Sequence, residues 1–148
     1  MLYNFIYGAI IHGKAKPGVC DEVKPRFKGY NKGNFKHIPA FLYIVCEGHE
    51  EQTSIIEAKV KTQLYDYLEN PNFHNQPTEY VDPKFAHIDL SYIECVIQKI
   101  IADNNLCFYK VKEEYLKDSL KDAKFSEKIR MFPDKYLDKS AIDKKCKK

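Results

Sequence analysis

The stretch "LYNFIYGAII" (2–11), followed at once by "HGK", constrains this chain more than any other feature. Ten residues rich in β-branched and aromatic side chains, closed by a turn signal, predict a strand that folds back as a hairpin into residues 14–20. An antiparallel sheet is therefore expected at the start of the fold. A third strand is expected in "AFLYIVCEG" (40–48), whose near-continuous apolar run suits a central position covered on both faces. Between them, Asp21 is placed to cap a short helix reaching about residue 30, with Pro25 tolerated in its first turn, and "NKGN" (31–34) breaks the chain.

Periodicity fills in the rest. In residues 50–69, Ile56, Val60, Leu64 and Tyr67 fall on one helical stripe, with Thr53 or Ser54 as the cap and Pro71 just beyond the end. Residues 70–78 read as a loop, "TEYV" (78–81) as a short edge strand, and 89–105 as a buried helix capped by Asp89 or Ser91. In that helix Tyr92, Ile93, Val96, Ile97, Ile100 and Ile101 suggest burial on more than one side. A strand (106–111), an amphipathic helix (113–125) and a loosely held Lys/Asp-rich tail complete the reading.

With 148 residues the chain fits one core. Its net charge of +3 hides a pattern: residues 1–40 carry seven Lys/Arg against two Asp/Glu, residues 41–103 four against eleven, and residues 104–148 thirteen against eight. A uniformly basic nucleic-acid binder is thereby excluded, whereas one phosphate-facing surface with a separate carboxylate cluster fits. Five cysteines, Cys20, Cys46, Cys95, Cys107 and Cys146, are widely spaced and form no CxxC or zinc pattern, so free thiols in a reducing compartment are expected. The apolar start lacks a positive flank and a cleavage site, and no run reaches the length of a membrane span. A soluble, intracellular protein, cytoplasmic or nuclear, is the expectation.

Only two of the basic residues are arginines, and one of them, Arg26, follows the "KPG" step of residues 16–18. A guanidinium is a planar, permanent charge suited to gripping phosphate oxygens in pairs. "FIYGAI" offers Tyr7, "KPG" offers Lys16 and Gly18, "VKPRFKGYN" (23–31) offers Arg26, and "SIIEAKVKTQL" (54–64) offers Glu57. In this order and spacing, residues 3–82 resemble the GIY-YIG endonuclease superfamily. "QPTEYV" (76–81) is similar to the segment that follows the glutamate helix in its phage and viral branches. The chain departs from the pattern in having no Gly before Tyr7, in Pro17 at the middle of the KIG-like step, and in lacking the Gly of the later segment.

The resemblance implies an α/β (α+β) fold: a three-stranded antiparallel sheet flanked by helices in residues 1–88, with residues 89–148 as an extension of helices and a strand packed on it. It implies an Mg²⁺- or Mn²⁺-dependent endonuclease of viral or mobile-element type, cutting DNA, with RNA not excluded. Arg26 would hold nonbridging oxygens, Glu57 the single metal ion, Tyr7 would act as base, and Lys16 would favour its phenolate. His12 at the hairpin turn is a candidate proton relay. Lys14, Lys24, Lys28, Lys32 and Lys36 are candidate phosphate contacts, and Asn72, Asn75 and Gln76 candidate polar trim after the glutamate helix. A non-cutting nucleic-acid-binding or regulatory copy is the alternative. Assembly is expected to be monomeric, or homodimeric through the extension.

Overall fold

The computed structural model describes residues 2–31, 36–69 and 80–138. Five strands form one antiparallel sheet: β1 (Phe5–Ile11), β2 (Lys14–Cys20), β3 (Phe41–Val45), β4 (Phe108–Val111) and β5 (Leu137–Asp138), in the order β2-β1-β3-β4-β5. The class is mixed α and β. The expected hairpin forms, turning through His12 and Gly13 in left-handed conformations. β3 lies in the interior of the sheet with all five residues buried. β2 is an edge strand, the position Pro17 demands because it has no N–H to give a second neighbour. The sheet extends past the three strands implied by the resemblance, because the C-terminal third adds β4 and β5.

Side-chain alternation splits the interior in two. Phe5, Tyr7, Ala9 and Ile11 of β1 face one layer, built with Val23 and Phe27 of α1 (Val23–Lys28), Phe125 and Ile129 of α4 (Phe125–Met131), and Tyr136 of α5 (Pro133–Tyr136). Ile6 faces the other, with Ile56 and Val60 of α2 (Gln52–Gln63) and Ile93 and Ile97 of α3 (Leu90–Asp103). On α3, Asp89 is the cap, its Oδ1 accepting the Tyr92 N–H at 2.9 Å. Tyr92 itself is exposed. Across the second layer runs a buried polar chain: the Tyr43 hydroxyl donates to Glu94 (2.8 Å) and accepts from Gln98, while Lys110 pairs with Glu94 at 2.5 Å.

Several expectations are corrected. α1 begins after Glu22, not Asp21, and Glu22 makes no side-chain cap. Neither Thr53 nor Ser54 is the cap residue of α2, a place taken by Glu51; Thr53 Oγ1 donates to the Glu50 carbonyl and accepts the Tyr3 N–H, tying the chain before β1 to the helix start. Tyr67 continues the apolar stripe only in a separate 3-10 turn, Tyr65–Tyr67. Of the expected edge strand, residues 78 and 79 lie outside the described residues, and Val81 makes one bridge, to Leu68. The single helix expected over 113–125 is two 3-10 turns, Glu113–Tyr115 and Asp118–Leu120, followed by α4. Ser119 Oγ donates to the Leu116 carbonyl there, a local bond that competes with helical pairing.

The cysteine reading also changes. Tyr43, Ile44 and Val45 pair with Lys110, Tyr109 and Phe108, so the next step of the ladder sets Cys46 opposite Cys107, and the two form a disulfide. Cys20 and Cys95 are thiols. Cys146, the tail beyond Asp138, the loop at 70–78 and most of "NKGN" lie outside the described residues. No helix among the described residues is long and apolar enough to cross a membrane.

Candidate functional site

Tyr7 of β1 stands directly opposite Gly18 of β2, and its phenol lies across that glycine: a Cβ there would be 2.5 Å from the hydroxyl oxygen. Only glycine leaves room for this packing. Lys16, two residues back on the same face of β2, brings its ammonium 3.4 Å from the Tyr7 hydroxyl and 5.5 Å from the ring centroid, with the Tyr80 ring 5.8 Å away. α1 supplies the other wall. Phe27 packs edge-on to Tyr7 at 5.0 Å, Arg26 reaches the Tyr7 hydroxyl, and the Tyr30 hydroxyl is 3.2 Å from it. Because Lys16 and Arg26 can only donate, the phenol's own proton is directed to Tyr30.

This environment reverses one expectation. Burial, reinforced by the Tyr30 hydrogen bond, holds the Tyr7 hydroxyl far above the ordinary tyrosine range, and the opposing pull of Arg26 is weaker. Tyr7 is therefore a neutral phenol at physiological pH, not the phenolate that a resting base requires. For Arg26, burial works against the charge, but neighbouring Tyr7, Cys20 and Tyr30 more than offset it and raise the pKa. The guanidinium is half-buried and permanently charged.

Glu57 is reached differently. α2 covers the opposite face of the sheet from α1, and Glu57 lines a small cavity, about 30 Å³, with Pro17, Gly18 and Val19 of β2 and with Val60, Lys61 and Leu64 of its own helix. Gly18 thus borders the Tyr7 phenol and also the Glu57 cavity, and it places no side chain between them. Tyr7, Lys16 and Arg26 gather on one face of the edge strand. Glu57 stands on α2, against the opposite face of the sheet, so the four expected residues are not gathered in one pocket.

The remaining candidates are scattered. His12 is exposed in the turn, five residues past Tyr7, which is roughly 16 Å along the hairpin at a strand's rise, and its ring neighbours His37 at 5.7 Å. The pitch of β1 keeps it from the cluster. Lys14 is held by Glu69 at 2.7 Å, Lys24 donates to the Lys121 carbonyl at 3.4 Å, and Lys28 and Lys36 are exposed. Lys32, Asn72, Asn75 and Gln76 lie outside the described residues. Two participants were not foreseen from sequence, Tyr30 and Tyr80. Tyr30 follows Arg26 by one helical turn, a spacing that could have marked it; Tyr80 has no such signal.

Among the described residues no three His, Cys, Asp or Glu side chains are grouped to hold a metal ion. Mg²⁺ does not require such a cage. It commonly takes one or two carboxylates with substrate phosphate and water, and Glu57 offers one such oxygen donor, although the rest of its cavity is apolar apart from Lys61. Compared with family models, with curated proteins and with solved structures, the chain matches none.

Proposed function

We propose that the chain is a GIY-YIG-like endonuclease that hydrolyses phosphodiester bonds in DNA at the edge of β2. The observation that supports this reading best is the meeting of Tyr7, Lys16 and Arg26, from three separate elements, around Gly18. Arg26 grips nonbridging phosphoryl oxygens in a bidentate hold, and Lys16 adds a second positive charge as negative charge builds on them. Tyr7, a buried neutral phenol whose proton goes to Tyr30, accepts from Lys16 and Arg26 and so holds the two cations in position. Glu57 would hold Mg²⁺, which when bound supplies further neutralisation of the phosphoryl oxygens. Purified protein with Mg²⁺ is expected to nick supercoiled plasmid, Glu57→Ala to abolish nicking while DNA binding and melting temperature persist, and Arg26→Lys to slow it at least about tenfold through loss of the paired grip. A Glu57→Ala variant that cuts as fast as the parent overturns the assignment.

A second reading, a non-cutting module that binds nucleic acid on the same scaffold, is favoured by the high pKa of Tyr7 and by the backbone of β2 between Glu57 and the cluster. Binding indifferent to Mg²⁺, with no cleavage in Mg²⁺ or Mn²⁺, selects it.

A further inference from the structure

The Cys46–Cys107 disulfide lies where β3 ends and β4 begins, at a junction that the backbone fastens independently of the sulfurs. The Cys46 N–H donates to the Cys107 carbonyl at 2.8 Å, and the Cys46 carbonyl accepts the His49 N–H at 3.0 Å. The Cys107 N–H donates to Gln52 Oε1 at 2.7 Å. All four backbone polar groups of the two cysteines are thus satisfied by bonds that contain no sulfur, and the β3–β4 ladder continues directly from them through Val45 and Phe108. Breaking the S–S bond removes a crosslink and leaves these bonds in place, so the folded chain tolerates it.

Room and charge are both at hand. The two cysteines are half-buried, and Cys46 lines a cavity of about 170 Å³ walled by Tyr109, Ile129 and Leu137, whose charged residues among those described are Glu47 and Arg130. Glu47 is exposed, so solvent and salt screen its carboxylate, whereas Arg130 is half-buried. The Arg130 guanidinium donates at 3.3 Å to the Val45 carbonyl, which belongs to the peptide bond leading into Cys46. Its other partners are Asn4 Oδ1 at 3.1 Å and, at 3.6 Å, the Glu50 carboxylate, which also accepts the Gly48 N–H. The Arg130 Nε–H is buried and has no hydrogen-bond partner among the described residues, so its surroundings satisfy the cation only in part.

We propose that Cys46–Cys107 is a thiol–disulfide exchange site of the folded protein, reacting with dithiols, with Cys46 as the leaving sulfur beside Arg130. The thiolate of a dithiol attacks the Cys107 sulfur; the Cys46–Cys107 bond breaks, and Cys46 departs with the bonding pair as a thiolate whose charge Arg130 stabilises. The second thiol of the reagent, losing its proton, attacks the reagent's own sulfur in the mixed disulfide, and Cys107 leaves in turn. Two electrons pass to the protein, the two protons released by the reagent end on Cys46 and Cys107, and the reagent becomes a disulfide. None of this depends on the nucleic-acid reading.

The test uses the full chain, with free thiols blocked by N-ethylmaleimide and the excess removed. Dithiothreitol is added at several urea concentrations below the unfolding transition, and iodoacetamide labelling of Cys46 and Cys107 is followed by peptide mass spectrometry. The reduction rate is expected to stay level as urea rises, with the native circular dichroism retained. A rate that climbs along the equilibrium unfolding slope means that the bond opens only in the unfolded chain, and overturns the proposal. With glutathione, a monothiol, the mixed disulfide trapped by acid is expected on Cys107; finding it on Cys46 overturns the assignment of the leaving sulfur. Both readouts come from the parent chain and need no variant to fold. Arg130→Gln is expected to slow reduction about threefold or more, with Arg130→Lys restoring part of the rate; a rate unchanged in Arg130→Gln overturns the part given to Arg130.

Discussion

A methyl group added at Gly18 would lie 2.5 Å from the Tyr7 hydroxyl oxygen and 2.6 Å from the ring carbon that bears it. Tyr7 is fully buried and walled by Phe27, so the ring has little room to retreat. Gly18→Ala is expected to cost about 1–3 kcal/mol in urea unfolding, the usual range for overpacking. Adding Tyr7→Phe should not restore the loss, because the ring carbon remains, whereas Tyr7→Leu should restore part of it. The same neighbourhood sets an alkaline limit. Burial first, then Glu22 and Asp21 against the opposing Arg26 and Lys16, pushes the Cys20 thiol from 9.0 up to about 12. A thiol whose folded pKa is raised keeps its proton when the unfolded chain has lost its own, so its contribution is complete below pH 9 and declines as pH climbs from there towards 12. Tyr7, raised from 10.0, adds to the decline at higher pH. The melting temperature should therefore fall above pH 9, and Cys20→Ala should flatten that slope just above pH 9, as differential scanning fluorimetry across pH will report.

At the scale of elements, the Cys46–Cys107 disulfide fastens the end of β3 to the start of β4, 61 residues apart in sequence, and the Cys107 N–H donates to the side chain of Gln52 at the head of α2. Closing a loop of that length constrains the unfolded chain, so reduction is expected to lower the unfolding free energy by about 2–4 kcal/mol. Urea titrations with and without dithiothreitol test this, and a Cys46→Ser/Cys107→Ser variant should be indifferent to the reductant. One strand in from the edge of the sheet, Lys110 neutralises Glu94 between β4 and α3. Lys110→Met leaves a buried carboxylate uncompensated and is expected to cost about 3–5 kcal/mol. The hairpin and β3 were legible as runs of β-branched and aromatic residues bounded by turn signals, and α2 and α3 as apolar residues at helical spacing. The disulfide was not, because it depends on the β3–β4 register, and no local pattern states which residue faces which. The 113–125 segment misled for a related reason: Leu116 and Leu120 have helical spacing, yet each enters the Tyr7 layer from its own short turn. At the site, chain order brought Tyr7, Lys16 and Arg26 together as expected. It could not say that α2 would cover the other face, and so it missed that Glu57 arrives from across β2.

For the whole molecule, the decisive fact is that neither layer is complete without the C-terminal third. Residues 1–88 contain β1, β2, α1, β3 and α2, the elements that hold every predicted catalytic residue. They lack Ile93, Ile97, Ile100, Ile101 and Phe108 from the layer under α2, and Val111, Leu116, Phe125, Ile129, Tyr136 and Leu137 from the layer around Tyr7. At roughly 1.5–3 kcal/mol for each large apolar side chain buried, these missing side chains outweigh the 5–15 kcal/mol by which a domain is typically stable. β3, buried along its whole length, would become an open edge with unpaired backbone groups. A fragment spanning 1–88 is therefore expected to show no cooperative thermal transition by circular dichroism and to associate, while one ending at 138 melts cooperatively. A 1–88 fragment that melts in one sharp step would mean that the first three strands and two helices close a core of their own, and that the C-terminal third is an attachment to it.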